Sequence, residues 1–494
     1  MPNNEVFRIN DFSGGLNEIG NQVEIGDNQT PSCQNCVFDE MGALVKRKGY
    51  KSILDTEIDA DKIDGIYLFH KKDGARYMIV AAEGSLYEVD ESDGTTSILE
   101  YDGGGDVDDL NDTSEVSFTT WGNTCYISTG HDDLLEFDGD VVKTNSDAPR
   151  GTLITNHQNI IFISGNKNNP SELYYSELGT GDFSDYSTIK VSTDDGDHIN
   201  NIIKQQNNLV IFKTNSIHAL YGSSEFNFEL REVQPNVGTI SPRSVVNIMN
   251  RLFFLYRDGV YVFDGTSIKM VSEMITPSIK KIVNPQETAA AWDSQRYYLA
   301  YSDRSGEENS KVLVYNLLHE SWTRFTNVPA AMFNNYDGSQ DGSVNMGELY
   351  FGSSKSGQIY EMGEGKSDDG DDIDLRYKTK YFNFQSPETV KTFRNIWVDI
   401  LLMSGEMDVV CNIDRRQSRS FTFSGDVYGD ENLWGADWGD LIWYEHKQSN
   451  LGSPFRGNSF GRTVQFNIKE KSDENFKFYG LSLNMRPRRK RFRG

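Results

Sequence analysis

The chain has 494 residues, 37% of them hydrophobic and 12% aromatic, and 74 acidic against 48 basic residues give a formal net charge of −26. Such a surface repels phosphate groups, which argues against general nucleic-acid binding. The longest apolar stretches, such as Ile79–Ala82 and Leu252–Tyr256, are far shorter than the roughly 20 residues that span a bilayer, so no membrane insertion is predicted. The first residues lack the pattern of a secretory signal, so we expect folding in a cytoplasm.

Residues 1–60 are predicted to form an N-terminal arm that includes a ring-closing strand, for which Val6–Ile9 is a candidate. The arm contains the segment Phe12-Ser-Gly-Gly-Leu-Asn17, in which Gly14 and Gly15 allow a turn that is closed to bulkier residues. Three consecutive basic residues follow later in the arm. These residues are Lys46, Arg47 and Lys48. They either pin the arm to an acidic surface or lie on a solvated strand edge.

Residues 61–365 carry an internal repeat of an apolar strand, a short polar turn and a second strand that ends near an aromatic residue. Successive closing aromatics lie 37 to 54 residues apart, which matches the about 45 residues of a four-stranded propeller blade. Seven copies are present, and their closing aromatics are Tyr87, Phe137, Tyr174, Tyr221, Tyr261, Tyr315 and Tyr360.

The repeat predicts an all-β fold that begins with a β-propeller of six to eight blades. A single blade cannot cover its own faces, whereas blades stacked radially bury both. A β-solenoid, which would repeat at roughly 20–30 residues, and a pair of sandwiches are the competing interpretations. The only short helix expected is Ser272–Ile282, between two blades.

After the seventh repeat the composition changes. Residues 366–374 read as an acidic, glycine-rich linker, and residues 375–485 as alternating strands of a C-terminal, jelly-roll-like β-sandwich. A stretch within this sandwich domain is predicted to be a long loop whose exposed aromatic side chains would form an interface or grip a surface glycan by stacking. These aromatics are Trp434, Trp438 and Trp443.

The basic tail, residues 486–494, reverses the charge of the rest of the chain. It would contact DNA inside a channel or dock on an acidic neighbouring subunit, and the charge of −26 favours docking. The residues expected to make these contacts are Arg488, Arg489, Lys490 and Arg491.

No catalytic, cofactor or metal residues are predicted. The chain has no H-E-x-x-H, G-x-S-x-G, P-loop or sialidase-box pattern. Cys33 and Cys36 form a lone C-x-x-C with no second ligand pair, so a reduced structural pair is expected. Two acidic loops, Asp102–Asp112 and Asp368–Asp374, lack the ligand spacing of a calcium-binding EF-hand and are interpreted as solvated loops.

The N-terminal arm resembles the opening of bacteriophage tail nozzle proteins, the tail tubular protein B-like virion proteins. The resemblance rests on the F-x-G-G-L-N start, with Phe12, Gly14, Gly15 and Leu16, and on a following N-x-x-F-x-x-x-G-x-L-x-x-R-x-G-Y segment. The residues that fit this second pattern are Asn35, Phe38, Gly42, Leu44, Arg47, Gly49 and Tyr50.

This resemblance implies a non-enzymatic structural protein that is assembled in the host cytoplasm and located in the virion tail. Its partners would be further copies in a ring, expected to be a hexamer, together with portal or adaptor and other tail proteins, and double-stranded DNA would pass through transiently. The chain would take part in tail assembly, DNA retention and genome ejection. A host-surface glycan-binding propeller and a polysaccharide depolymerase remain alternatives.

Overall fold

The computed structural model describes residues 5–193, 195–334, 349–402, 405–424, 449–455, 459–471 and 476–488. The chain divides into two compact units. The first consists of Lys51–Leu313 and Asn327–Met362, and the second of Met1–Tyr50, Val314–Thr326 and Gly363–Gly494. Each unit is built almost entirely from antiparallel β-sheets.

The first unit is a β-propeller of seven sheets, which we number as blades 1 to 7 in chain order. The second and third strands of every blade coincide with one copy of the predicted repeat, which confirms the propeller prediction and gives seven blades. The strands of blade 1 are Gly65–His70, Arg76–Ala82, Ser85–Val89 and Thr96–Ile98. Those of blade 2 are Ser117–Trp121, Thr124–Ser128, Leu134–Phe137 and Val142–Asn145. Those of blade 3 are Leu153–His157, Ile160–Ser164, Glu172–Tyr175 and Ser187–Lys190.

Blades 4 to 7 follow the same order. Blade 4 contains Ile199–Gln205, Asn208–Lys213, Ser216–Tyr221 and Glu229–Pro235, and blade 5 contains Val246–Ile248, Arg251–Leu255, Val260–Phe263 and Ile268–Met270. Blade 6 contains Ala289–Trp292, Arg296–Tyr301 and Lys311–Asn316, and blade 7 contains Ala330–Phe333, Leu349–Ser353 and Ile359–Met362.

The blades form a closed ring. The first strand of each blade contacts the first strand of the next, and the first strand of blade 7 contacts that of blade 1. The outer edge of blade 7 is covered by the chain that enters the propeller, since the sheet includes Tyr50–Ser52 and the amide of Ile53 donates to the carbonyl of Ile359 over 2.9 Å. The two ends of the propeller sequence therefore meet in one blade.

The propeller core lies between neighbouring blades. Between blades 1 and 2, Tyr67 stacks on Phe118 with ring centroids 5.4 Å apart, and Phe69 and Phe137 are fully buried beside them. The second strand of blade 3, Ile160–Ser164, is buried at every position. Because blades cover both of its faces, this strand is a continuous apolar run instead of an alternating one.

The second unit is a β-sandwich built from both ends of the chain. Alternate residues are buried along its long strands, as expected for sheets with one inward face. One sheet contains Ser449–Pro454, Lys391–Leu402, Phe476–Pro487, Leu44–Lys46, Cys36–Phe38, Glu5–Ile9 and Phe460–Gly461. The other contains Gln417–Ser424, Glu406–Ile413, Val464–Glu470, Leu375–Lys378 and Ser32–Gln34, and this unit also holds the strands Ser321–Thr326, Gly15–Leu16 and Gln29–Thr30.

The N-terminal strand differs from its expected place. Glu5–Ile9 pairs antiparallel with Phe476–Pro487 in the sandwich, so Val6–Ile9 does not complete a blade. The reason lies in its inward side chains. Ile9 is buried, and the ring of Phe7 lies 4.8 Å from that of Phe382.

Helical structure is sparse in the described residues. The predicted helical segment contains a 3-10 turn, Glu273–Ile275, and one α-helical turn, Thr276–Ile279. Two further 3-10 turns are Pro242–Ser244 and Pro285–Glu287. Among the described helices, none has the length and apolar character needed to cross a membrane.

Candidate functional site

The F-x-G-G-L-N segment lies inside the sandwich. Phe12 is 1% exposed, and its ring lies 5.4 Å from both Tyr377 and Phe478, which belong to opposite sheets. Leu16 is also buried. The apolar residues of this motif therefore join the two sheets and are not presented to a neighbouring subunit.

Both glycines of the motif are required by close packing. Gly15 has a φ of +64°, and a Cβ there would lie 2.7 Å from the carbonyl oxygen of Trp322. A Cβ on Gly14 would lie 2.6 Å from Oδ1 of Asn28. No larger side chain fits at either position without displacing its neighbours.

Lys46 is buried between the two sheets of the sandwich. Its Nζ lies 3.1 Å from Glu470, and the side chains of this pair are 3% and 0% exposed. Lys46 points inward because it is two residues from the buried Leu44 on the same strand. Neither the solvated strand edge nor an assembly contact fits this side chain.

Arg47 is equally internal. Its guanidinium donates to both carboxylate oxygens of Asp368 at 2.7 and 2.5 Å, to Oδ1 of Asn35 at 3.0 Å, and to the carbonyls of Lys48 and Thr326 at 3.0 Å each. These five bonds use all five N–H donors of an arginine. Arg47 is therefore neither on a solvated strand edge nor pinned to an acidic surface: its partner Asp368 is a buried carboxylate of the predicted linker.

Few of the remaining predicted contact residues lie in the described structure. Lys48 is exposed. Arg488 is exposed, and its guanidinium lies 4.0 Å from the ring centroid of Phe460 while Nε donates to Thr392. Outside the described residues lie Arg489, Lys490, Arg491, Trp434, Trp438 and Trp443.

The cysteine pair and the acidic loops were the candidate metal sites. Cys33 and Cys36 are buried free thiols, and burial together with a hydrogen bond that the Cys36 thiol donates to Cys33 raises the pKa of Cys36 well above its usual value. Within the described ranges, no group of three or more His, Cys, Asp or Glu residues is arranged to hold a metal ion. Asp368 is already paired with Arg47.

The propeller contains a cavity that the sequence did not reveal. This cavity of about 1060 Å³ opens at the start of the first strands, and all seven blades contribute to its lining. Its wall exposes polar and apolar surface in nearly equal parts and carries acids and bases from different blades, among them Asp64, Glu115, Lys190 and Glu308. We call it the axial cavity.

Arg243 crosses the axial cavity. It belongs to the 3-10 turn that precedes blade 5, and its guanidinium donates to the carbonyl of Ser114 at the start of blade 2. Burial lowers the pKa of this guanidinium, while the carboxylates of Asp64 and Glu115 oppose that shift. No local pattern around Ser-Pro-Arg-Ser predicts the contact, because it joins residues 129 positions apart.

No protein-family model and no curated protein matches this chain. Solved structures that resemble it include an extracellular domain from B. thetaiotaomicron, with 10% identity, a TM-score of 0.42 and 65% of this chain covered. The match spans 40% of that protein's chain. YCF48 from Cyanidioschyzon merolae has 10% identity and a TM-score of 0.42 over 64% of this chain and 98% of its own. The N-terminal domain of Nup159 has 11% identity and a TM-score of 0.39 over 67% and 98%.

Proposed function

We propose that this chain is a structural, non-enzymatic component of a bacteriophage tail, a nozzle-like ring protein around the DNA exit channel. It would bind further copies of itself and a portal or adaptor ring, and it would take part in tail assembly, DNA retention and genome ejection. The observation that carries the proposal is the role of the motif residues in the fold.

The residues that carry the resemblance are determinants of the architecture. Phe12 joins the two sheets, Gly15 permits a close backbone approach, and Arg47 ties the arm to the segment that follows the propeller. Such residues are determined by the fold itself, so a shared pattern at these positions supports a shared sandwich that is built from both ends of the chain.

The charge of the chain supports the same proposal. A net charge of −26 disfavours tight binding to the DNA backbone, so a wall of such subunits would let duplex DNA pass without adhering. Lys48 and Arg488 are exposed, and the basic sequence of the C-terminal tail is suited to docking on an acidic neighbouring subunit.

Sedimentation velocity tests this assembly role. The purified chain is run alone and mixed with candidate portal or adaptor rings, beside a tail variant that carries Arg489→Gln, Lys490→Gln and Arg491→Gln. We expect the wild type to co-sediment with an adaptor ring and the tail variant to bind it at least tenfold more weakly. Lys280→Gln, an exposed basic position in the propeller, is the matched control and should bind as the wild type does. A wild-type chain that remains monomeric with every adaptor contradicts the proposal.

A further inference from the structure

Two asparagines of the axial cavity have their side-chain oxygens oriented away from protein donors. Nδ2 of Asn200 donates to the carbonyl of Thr239 over 2.6 Å, and Nδ2 of Asn309 donates to the carbonyl of Glu287 over 2.8 Å. Carbonyl oxygens only accept hydrogen bonds, so these nitrogens must face them. Both Oδ1 atoms, on blades 4 and 6, are therefore left without a donor in the described part of the chain.

Two further acceptors in the cavity wall lack hydrogen-bond donors among the described residues. Asn201 donates to the carbonyl of Pro242 over 2.8 Å, and its Oδ1 is buried without a hydrogen bond. Asp64 is 5% exposed and accepts from Thr113 and the backbone amide of Glu83 through Oδ2, whereas its Oδ1 has no hydrogen bond and lies 3.7 Å from Nζ of Lys62. Buried acceptors without a donor are costly, which favours a ligand that supplies donors.

Arg243, one of the basic residues that line the cavity, lies among these acceptors. Arg243 follows Pro242, whose carbonyl accepts the hydrogen bond from Asn201. The guanidinium donates to the carbonyl of Ser114. Ser114 follows Thr113, whose hydroxyl group donates to Asp64. The guanidinium makes one hydrogen bond to the described residues, so four of its five N–H donors remain available. A planar guanidinium with free donors suits a carboxylate, which it binds through two parallel hydrogen bonds.

We propose that the axial cavity binds a carboxylated, hydroxyl-rich saccharide, with a ligand carboxylate on Arg243 and ligand hydroxyl groups donating to Asn200 and Asn309. Hydroxyl groups both donate to the amide oxygens and accept from the arginine, which a purely anionic ligand cannot do. No Phe, Tyr or Trp of the described residues lines the cavity, so hydrogen bonds and the ion pair provide the recognition. The volume of about 1060 Å³ lies at the upper end of small-ligand pockets and has room for several sugar rings.

This inference goes beyond the tail role and does not depend on it. The cavity lies within the propeller of one chain, so saccharide binding needs no ring and is measured on the isolated protein. If the saccharide does not bind, the proposed tail role is not affected. If the chain does not assemble, the proposed saccharide binding is not affected.

Isothermal titration calorimetry of the full chain tests the proposal with trigalacturonate and with its methyl ester, in which a methyl group on each carboxyl removes the charge. We expect the acid to bind with a dissociation constant of about 10 μM to 1 mM and the ester at least tenfold more weakly. Arg243→Gln should weaken binding of the acid at least tenfold, whereas Lys280→Gln, at an exposed lysine that does not line the cavity, should change it less than twofold.

The comparison of the two ligands uses the wild type, so it decides the question even if Arg243→Gln fails to fold. Size-exclusion chromatography and circular dichroism show whether the variant is folded. Equal binding of acid and ester, absence of binding at about 10 mM acid, or wild-type binding by folded Arg243→Gln would each overturn the proposal.

Discussion

Replacing Asp368 by asparagine should be among the most destabilising single substitutions in the sandwich. Asp368 is paired with Arg47 through two hydrogen bonds, and both side chains are 1% exposed. An asparagine removes the compensating charge and turns an amide group toward the arginine donors. Removing one partner of a buried ion pair costs about 3–5 kcal/mol, because it leaves the other charge buried and unpaired. That is a large fraction of the about 5–15 kcal/mol that stabilises a typical folded protein.

Urea unfolding followed by circular dichroism measures this cost for Asp368→Asn. The control is Glu229→Gln in the propeller, which breaks an ion pair with Arg231 whose side chains are both 58% exposed, and its midpoint should match the wild type. The double variant Arg47→Met with Asp368→Leu leaves no buried charge, so we expect it to be more stable than Asp368→Asn. If Asp368→Asn unfolds at the same urea midpoint as the wild type, the prediction that the buried pair stabilises the sandwich is refuted.

Two more predictions concern the N-terminal arm. Gly15→Ala should destabilise the sandwich by about 2 kcal/mol or more, because Gly15 has a positive φ and an added Cβ would lie 2.7 Å from Trp322. The control Gly104→Ala, also at positive φ but with nothing within 4 Å of an added Cβ, should cost about 1 kcal/mol. Equal melting temperatures of the two variants would contradict this prediction. Burial raises the pKa of Asp39, but hydrogen bonds from Lys477 and backbone amides outweigh burial and hold it below 3.8. Its contribution to stability is therefore present at neutral pH and lost as the pH falls through that lowered pKa. Asp39→Asn should reduce stability at pH 7 and flatten its loss below pH 4 in urea titrations, and an unchanged pH profile would count against the pairing.

The sequence predicted the propeller well because its signal is local. Each repeat brings together two strands that are neighbours along the chain, and apolar runs such as Ile160–Ser164 are typical of strands buried on both faces. Seven such units, spaced at about the length of one propeller blade, are compatible with few folds other than a β-propeller. The strands after residue 375 were also visible, since their residues alternate between buried and partly exposed positions, as in Glu406–Ile413.

The long-range pairings could not be read from the sequence. Glu5–Ile9 pairs with a strand more than 470 residues away, and nothing in its five residues distinguishes a sandwich edge from a blade edge. The alternation Leu44, Val45, Lys46 was a usable signal that Lys46 faces inward, but its partner Glu470 lies on a distant strand. The axial cavity was hidden for the same reason, since its lining is assembled from residues of all seven blades.

The central claim is that this chain builds a ring around a DNA channel, and electron microscopy tests it most directly. The purified protein is imaged in negative stain, alone and mixed with candidate portal or adaptor rings. The proposal predicts closed rings, most simply hexamers, with an axial hole wide enough for duplex DNA, formed alone or on the adaptor. Single particles that never form a ring and ignore every adaptor would contradict it.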